Sequence, residues 1–181
     1  MNLRNFIILV VIFLGLGGYF YFSRVLTPPP PRIPEVRAWE ISGEDLWHFK
    51  IELTKEGKSE AFVKGEDGYW HFDDPQQTPV NRERWGGQPR LLRGPLTKRI
   101  IAEDATQERL AAFGLTEPRI VITMTLTDGR TVELVIGDSV PDGTAFYLQV
   151  PNSNDVAIID HSWYVVFERL VILPPYPPAT D

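Results

Sequence analysis

Seventeen consecutive residues, positions 6–22 (FIILVVIFLGLGGYFYF), carry no charge and are almost wholly apolar, with Arg4 and Arg24 fencing them on either side. As a helix the run rises about 1.5 Å per residue and reaches roughly 25 Å. That is a little short of the ~30 Å hydrocarbon layer, so snorkelling arginines or local thinning must close the gap. The expectation is one N-terminal membrane anchor made by Phe6, Ile7, Ile8, Leu9, Val10, Val11, Ile12, Phe13 and Leu14. Tyr19, Phe20, Tyr21 and Phe22 would lie at the headgroup boundary, where aromatic rings settle. A cleaved signal sequence is the competing reading, because the run is short and Gly15-Leu16-Gly17 offers small residues. The chain has no cysteine, which excludes a lipid on a processed N-terminal cysteine, a disulfide and a thiolate site. Gly15, Gly17 and Gly18 would admit a second helix closely but do not form the spaced GxxxG pattern.

Charge counting leaves orientation undecided, with Arg4 on one side and Arg24, Arg32 and Arg37 on the other. Pro28 to Pro31 and Pro34 favour a stiff polyproline II spacer at about 3.1 Å per residue. The reading is therefore a tail at 1–5, an anchor at 6–23, a linker at 24–35, one folded body at 36–173 and a proline-rich, frayed tail at 174–181. Beyond residue 38 lie 14 basic and 23 acidic residues, a net of −9. An acidic body argues against nucleic acid and weakly against anionic lipid, and suits a basic protein surface or simple solubility.

Within the body, residues 45–54 alternate Trp47, Phe49, Ile51 and Leu53 with His48, Lys50 and Glu52, the period-two mark of a strand with one buried face. Glu56-Gly57 turns the chain. Residues 61–64 and 69–72 give two more strands, joined through Glu66-Asp67-Gly68, so the first half reads as an antiparallel meander. Residues 36–41 add a further candidate strand. Residues 80–101 read as a helix broken by Gly86, Gly87 and Pro89. Thr106 then caps a short helix reaching Phe113, with Leu110 and Phe113 inward, Gly114 in a left-handed C-terminal cap and Leu115 closing over it.

A hairpin follows. A two-residue Asp128-Gly129 loop would set Met124 against Glu133, apolar beside polar; a three-residue loop with Gly129 left-handed pairs Met124 with Val132, Ile122 with Leu134 and Ile120 with Ile136. The second register is expected. Residues 144–150 and 156–159 make another hairpin. Ser162 is expected to cap a closing helix that lays Trp163, Val166, Phe167 and Leu170 on the sheet. The fold class is α+β: antiparallel meander and hairpins, few short helices, one transmembrane helix in front.

The order of these motifs resembles the domain-of-unknown-function family 4340. It rests on Gly68-Tyr69-Trp70 with Pro75, Phe113-Gly114-Leu115 with Pro118, Asp128-Gly129, Leu134-Val135-Ile136-Gly137, and Gly143 leading to Tyr147, across roughly residues 36–172. The resemblance implies a membrane-anchored extracytoplasmic protein, some members resembling accessory components of transport or gliding-associated assemblies, and brings no catalytic residues to transfer. The chain departs from the pattern at Trp85-Gly86-Gly87-Gln88-Pro89, where a continuous helix is expected.

Chemistry is sparse. His48 and His71 would become cross-strand neighbours if their strands paired, with Asp73 and Asp74 nearby, yet each sits at a polar-out position, and no metal is expected. Asp160-His161-Ser162 is adjacent in sequence rather than convergent, without a nucleophile elbow, and reads as helix capping. Asp138 and Asp142 lack the ligand ladder of a calcium loop. Glycine-rich phosphate motifs are absent and no cofactor is expected. Trp39, Trp47, Trp70 and Trp163 fall on buried faces, leaving Trp85, within the glycine-rich interruption, as the expected partner contact.

These features point to a non-enzymatic, membrane-anchored accessory or scaffold subunit. Its extracytoplasmic domain would dock a protein partner in a transport or electron-transfer complex at a bacterial cytoplasmic membrane. A glycan or cell-envelope ligand-binding module is the alternative, and a hydrolase using the histidines trails both.

Overall fold

The computed structural model describes residues 3–26, 39–85, 92–94 and 99–178. The chain divides into two compact units, residues 1–34 and 35–181. Among its described residues the first contains one helix, α1 (Leu3–Leu26), of 24 residues. It outruns the apolar run at both ends, so the shortfall expected from 17 residues disappears: 24 residues rise about 36 Å. Its 20-residue stretch Arg4–Ser23, of mean hydropathy 2.2, is long and apolar enough to cross a membrane. Phe13, Leu14, Tyr19 and Tyr21 are all exposed within the unit, as a lipid-facing surface requires.

The second unit is an eight-stranded antiparallel sheet. Its strands are β1 (Leu46–Leu53), β2 (Lys58–Lys64), β3 (Trp70–Phe72), β4 (Arg99–Ala102), β5 (Ile120–Leu126), β6 (Thr131–Ser139), β7 (Ala145–Gln149) and β8 (Val156–Asp160), in spatial order β3-β2-β1-β5-β6-β7-β8-β4. Among the described residues three helices accompany them: α2 (Arg82–Trp85), α3 (Gln107–Ala112) and α4 (His161–Ile172). The α+β class and the initial meander follow from the alternation read above.

The main core lies on one face, where Phe49, Ile51, Phe62, Ile120, Ile122, Met124, Leu134, Ile136 and Leu148 meet α4. A smaller cluster on the other face packs α3 and its flanks, Ala105, Leu110 and Leu115, against Val156, Val135 and Tyr147.

The β5–β6 hairpin has the register that burial demands: Met124 opposite Val132, Ile122 opposite Leu134, Ile120 opposite Ile136. Leu126 N–H donates to Arg130 O at 2.8 Å, and Gly129 sits at φ +84 between them. A side chain there would meet open space, so only backbone conformation is at stake. Gly129→Ala is expected to cost about 1–2 kcal/mol and Gly129→Asn clearly less, since asparagine tolerates the left-handed region. Thermal melts of the two variants check this ordering.

At α3, Thr106 Oγ1 accepts from Arg109 N–H, and the far end closes as expected: Gly114 at φ +70, its N–H to Ala111 O at 2.9 Å, and Leu115 N–H to Leu110 O at 2.9 Å. These are the paired bonds of a left-handed helix cap.

Five readings require correction. Residues 39–42 form no strand; they run irregularly, held by Trp39 Nε1 donating to Leu92 O at 2.9 Å and Ile41 N–H to Arg93 O at 3.2 Å, and residues 36–38 lie outside those described. Of the broken helix expected at 80–101, the start holds as one turn, α2, ending before Gly86, with Asn81 Oδ1 accepting from the N–H groups of Glu83 and Arg84; residues 86–91 and 95–98 lie outside those described. Its far end is what changes, since residues 99–101 belong to a strand, because Ile100-Ile101 suits an antiparallel partner in β8. The N-cap of α4 is Asp160 rather than Ser162. Tyr164 stacks on Phe146 with centroids 4.0 Å apart and rotates the buried face to Tyr164, Phe167, Leu170 and Val171, which leaves Val166 half-buried and Trp163 against Trp39.

The fifth concerns the tail, whose residues 174–176 pack on the body rather than fray, while 179–181 lie outside those described. Tyr176 stacks on Phe72 at 4.1 Å and hydrogen-bonds Glu60, while Pro175 O accepts from Asn81 N–H at 2.8 Å. Desolvation under this strap is the main cause that raises the Glu60 carboxyl above its ordinary value. A folded-state pKa above the unfolded one favours folding when the group is protonated, and that contribution is lost as pH rises through the folded pKa. Glu60→Gln should therefore be the more stable chain at pH 7, with the gap closing near pH 4. Melting temperatures at the two pH values test the sign.

Candidate functional site

The expected contact residue, Trp85, is not at the surface. It is 7% exposed, and its ring packs against Phe62 (4.9 Å), Trp70 (6.1 Å) and Phe49 (6.2 Å). The helical turn of α2, pinned at Asn81, swings the indole under β1, β2 and β3; the glycines that suggest an exposed loop come after it. Trp85 is a core residue. Its place at the surface is taken by Trp47, 41% exposed. An irregularity between Leu46 and His48 inserts one residue opposite β5, so Leu46 turns inward where strict alternation would have put Trp47. The indole lies beside His48, with ring centroids 5.7 Å apart, and its Nε1 donates to Leu126 O at 3.1 Å.

The two histidines do not become neighbours, because β2 lies between their strands: His48 pairs with Val63, which pairs with His71. Two strand spacings put them roughly 10 Å apart. Each meets its own carboxylate, His48 Nε2 with Asp73 Oδ2 at 3.1 Å and His71 Nε2 with Asp67 Oδ2 at 3.6 Å, while Asp74 accepts from Thr78 N–H at 2.9 Å. Hydrogen bonding from Thr78 lowers the Asp74 carboxyl below its ordinary value. Among the described residues no three His, Asp or Glu side chains converge to hold a metal ion.

Asp160, His161 and Ser162 sit in succession where β8 passes into α4, with the His161 ring against Phe146 at 5.6 Å. Asp138 takes Arg119 Nε at 2.9 Å and Lys55 Nζ at 3.6 Å; Asp142 accepts from Thr144 N–H and Oγ1 at 3.0 and 2.8 Å. The first ties β6 to its neighbours and the second stiffens a turn.

Among the concave places on the described surface, two lie along β7 and β8. A depression of about 500 Å³ at the β7–β8 turn is lined by Asp104, Gln149, Asn152, Ser153 and Asn154. Much of its polarity is spent internally, with Gln149 Nε2 donating to Ser153 O and Asp104 N–H to Asp155 Oδ1. The second is a groove of about 360 Å³ along β4, β8 and β7, lined by Ile101, Tyr147 and Ile158 together with Arg99, Asp142 and the Val140-Pro141 turn. Although smaller, it has an apolar floor with a few polar groups at its edge, the usual makeup of a recognition site. Its lip is the β6–β7 turn, fixed by Val140 N–H to Ala145 O at 2.9 Å and Gly143 N–H to Val140 O at 2.8 Å. Arg99 and Ile101 escaped the sequence reading because β4 itself was missed, whereas Ile158 lies on the expected strand at 156–159. The one signal was the β-branched pair Ile100-Ile101 following basic Arg99.

Neither the curated proteins nor the solved structures include a match to this chain. Residues 70–163, more than half of the sequence, match the family model described as Domain of unknown function (DUF4340). That stretch runs from β3 to the first turn of α4 and carries the Gly114 cap, the Asp128-Gly129 hairpin and the Gly143–Tyr147 turn. The chain belongs to the DUF4340 family.

Proposed function

We propose that this protein is a non-enzymatic, membrane-tethered accessory or scaffold subunit. Its acidic body, outside the cytoplasm of a bacterial cell, docks a protein partner within a larger complex of transport or electron transfer. The observation that carries the reading is the two-unit organisation: an apolar helix of membrane-spanning length ahead of a compact body with its own core. Such a body gains effective concentration at a membrane complex without new contacts, because a tether turns docking into a local event. The proline-rich stretch between the units supports a spacer role.

Purification of the full chain in mild detergent at native abundance, with mass identification of companions, tests this. The expected result is one other chain at constant stoichiometry. A lone monomer overturns the reading.

Exposure of Trp47, with its indole held by Leu126 O, favours a second reading, a glycan-binding module that stacks a sugar ring on this residue. That reading expects measurable polysaccharide affinity, abolished by Trp47→Ala.

A further inference from the structure

We propose that the C-terminal strap, residues 173–176, is a latch on α2: strap and helical turn open together as one local unit while the sheet stays folded, and the proton on Glu60 holds them shut. The latch belongs to the body alone and works whatever partner the tether serves.

The strap grips α2 at both ends of the turn. Pro175 O accepts from Asn81 N–H at 2.8 Å, and Leu173 O accepts from Arg84 Nη2 at 3.2 Å. Asn81 is in turn the cap of α2, its Oδ1 accepting from the N–H groups of Glu83 and Arg84 at 3.1 Å each. A single turn has little helical stability of its own. Its position therefore depends on the Trp85 ring packed beneath it and on the strap outside it.

The strap itself is lightly held. Pro174, Pro175, Pro177 and Pro178 have no N–H to donate, so these positions add no donor to a ladder. Its fastening is the buried Pro175 and the Tyr176 ring, which stacks on Phe72 with centroids 4.1 Å apart yet is exposed on its outer side. A segment with so few buried contacts opens before the core does.

Glu60 supplies the bias. Its carboxyl lies under Tyr176; among the described residues the titratable groups that bear on it are the Tyr176 hydroxyl and Asp74, and its cross-strand neighbour in β1 is Ile51. Closing the strap takes an ionised Glu60 out of water and leaves it near the Asp74 carboxylate, two effects that a protonated Glu60 escapes. Closure therefore binds a proton. The latch is tightest at low pH and loosens as pH rises through the Glu60 pKa of the closed state, which burial sets above the ordinary carboxylate value.

Hydrogen exchange of the full chain in mild detergent, resolved amide by amide, tests this, because the Asn81 N–H is itself bonded to the strap. Amides of Asn81, Glu83, Arg84 and Trp85 should share one level of protection, about tenfold or more below that of residues 120–126 in β5. Tyr176→Ala should lower protection at 81–85 by a further factor of about ten and leave residues 120–126 unchanged. Glu60→Gln, compared with the parent at the same pH, should raise protection at 81–85 about threefold at pH 7 and leave it nearly equal near pH 4. Protection at 81–85 equal to that of β5 in the parent, or lowered in both places alike by Tyr176→Ala, overturns the local unit. Protection at 81–85 that ignores Tyr176→Ala removes the strap as its latch, and protection that ignores Glu60→Gln at pH 7 removes the proton as what holds it shut.

Discussion

Gly137→Ala should cost this protein about 3 kcal/mol or more, at or above the top of the usual range for overpacking a core. A Cβ built on Gly137 falls 2.2 Å from Phe113 O, 3.0 Å from Gly114 C and 3.1 Å from a Leu115 methyl. Two of the three neighbours are backbone, so no rotamer change relieves the clash. The close approach is enforced from both sides. Phe113 O accepts the Asp138 N–H at 2.9 Å, while Gly114, at φ +70, would itself meet the Asp138 carboxylate if it carried a side chain.

The C-terminal cap of α3 is thus seated directly on the bare backbone of β6, and the Arg119–Asp138 pair at 2.9 Å fastens the same point. Forcing them apart pulls Leu110 and Leu115 out of the smaller core. Urea unfolding of the detergent-solubilised chain, followed by tryptophan fluorescence, should show a midpoint lower by about 1 M or more at ordinary slopes. A midpoint within about 0.3 M of the parent would show that α3 and β6 are not locked in this way.

The Phe113-Gly114-Leu115 and Leu134-Val135-Ile136-Gly137 motifs were legible as turn and strand grammar, and the hairpin register followed from burial alone. Their interlock was not. Nothing in either motif announces that a helix cap 23 residues upstream needs Gly137 without a side chain, because the contact exists only once β6 is placed in the sheet. The β4 strand was illegible for a related reason. Its four residues have a partner far along the sequence, so local periodicity had too few positions to speak. The tail was misread because its prolines fit no regular element, yet irregular backbone packs well when Tyr176 finds Phe72. For the candidate site, Tyr147 was visible as a motif residue, whereas Arg99 and Ile101 depended on the strand that the pattern did not show.

The second large effect contrasts two tryptophans. Trp85→Ala should destabilise the fold by about 3–5 kcal/mol, the cost of removing a large aromatic from a closed core. Its ring fills the space between Phe49, Phe62 and Trp70, and α2 has only one turn with which to hold an alternative packing. Trp47→Ala should cost about 1 kcal/mol or less, since its ring is largely outside and loses mainly the bond to Leu126 O. Strict alternation buries Trp47, which the bulge at Leu46/His48 turns outward, and the glycine-rich interruption suggests an exposed Trp85, which α2 carries into the core. Paired urea melts decide between the two assignments. Equal losses, or a larger loss at Trp47, would return Trp85 to the surface and remove the bulge from the account.

Both effects concern the body, while the reading of the whole molecule depends on α1 remaining in lipid as its tether. The most direct measurement is the intact mass of the chain recovered from carbonate-washed membranes. The account predicts a chain that pellets with the membranes and retains residues 3–26. A chain in the soluble fraction whose mass lacks that segment would contradict it.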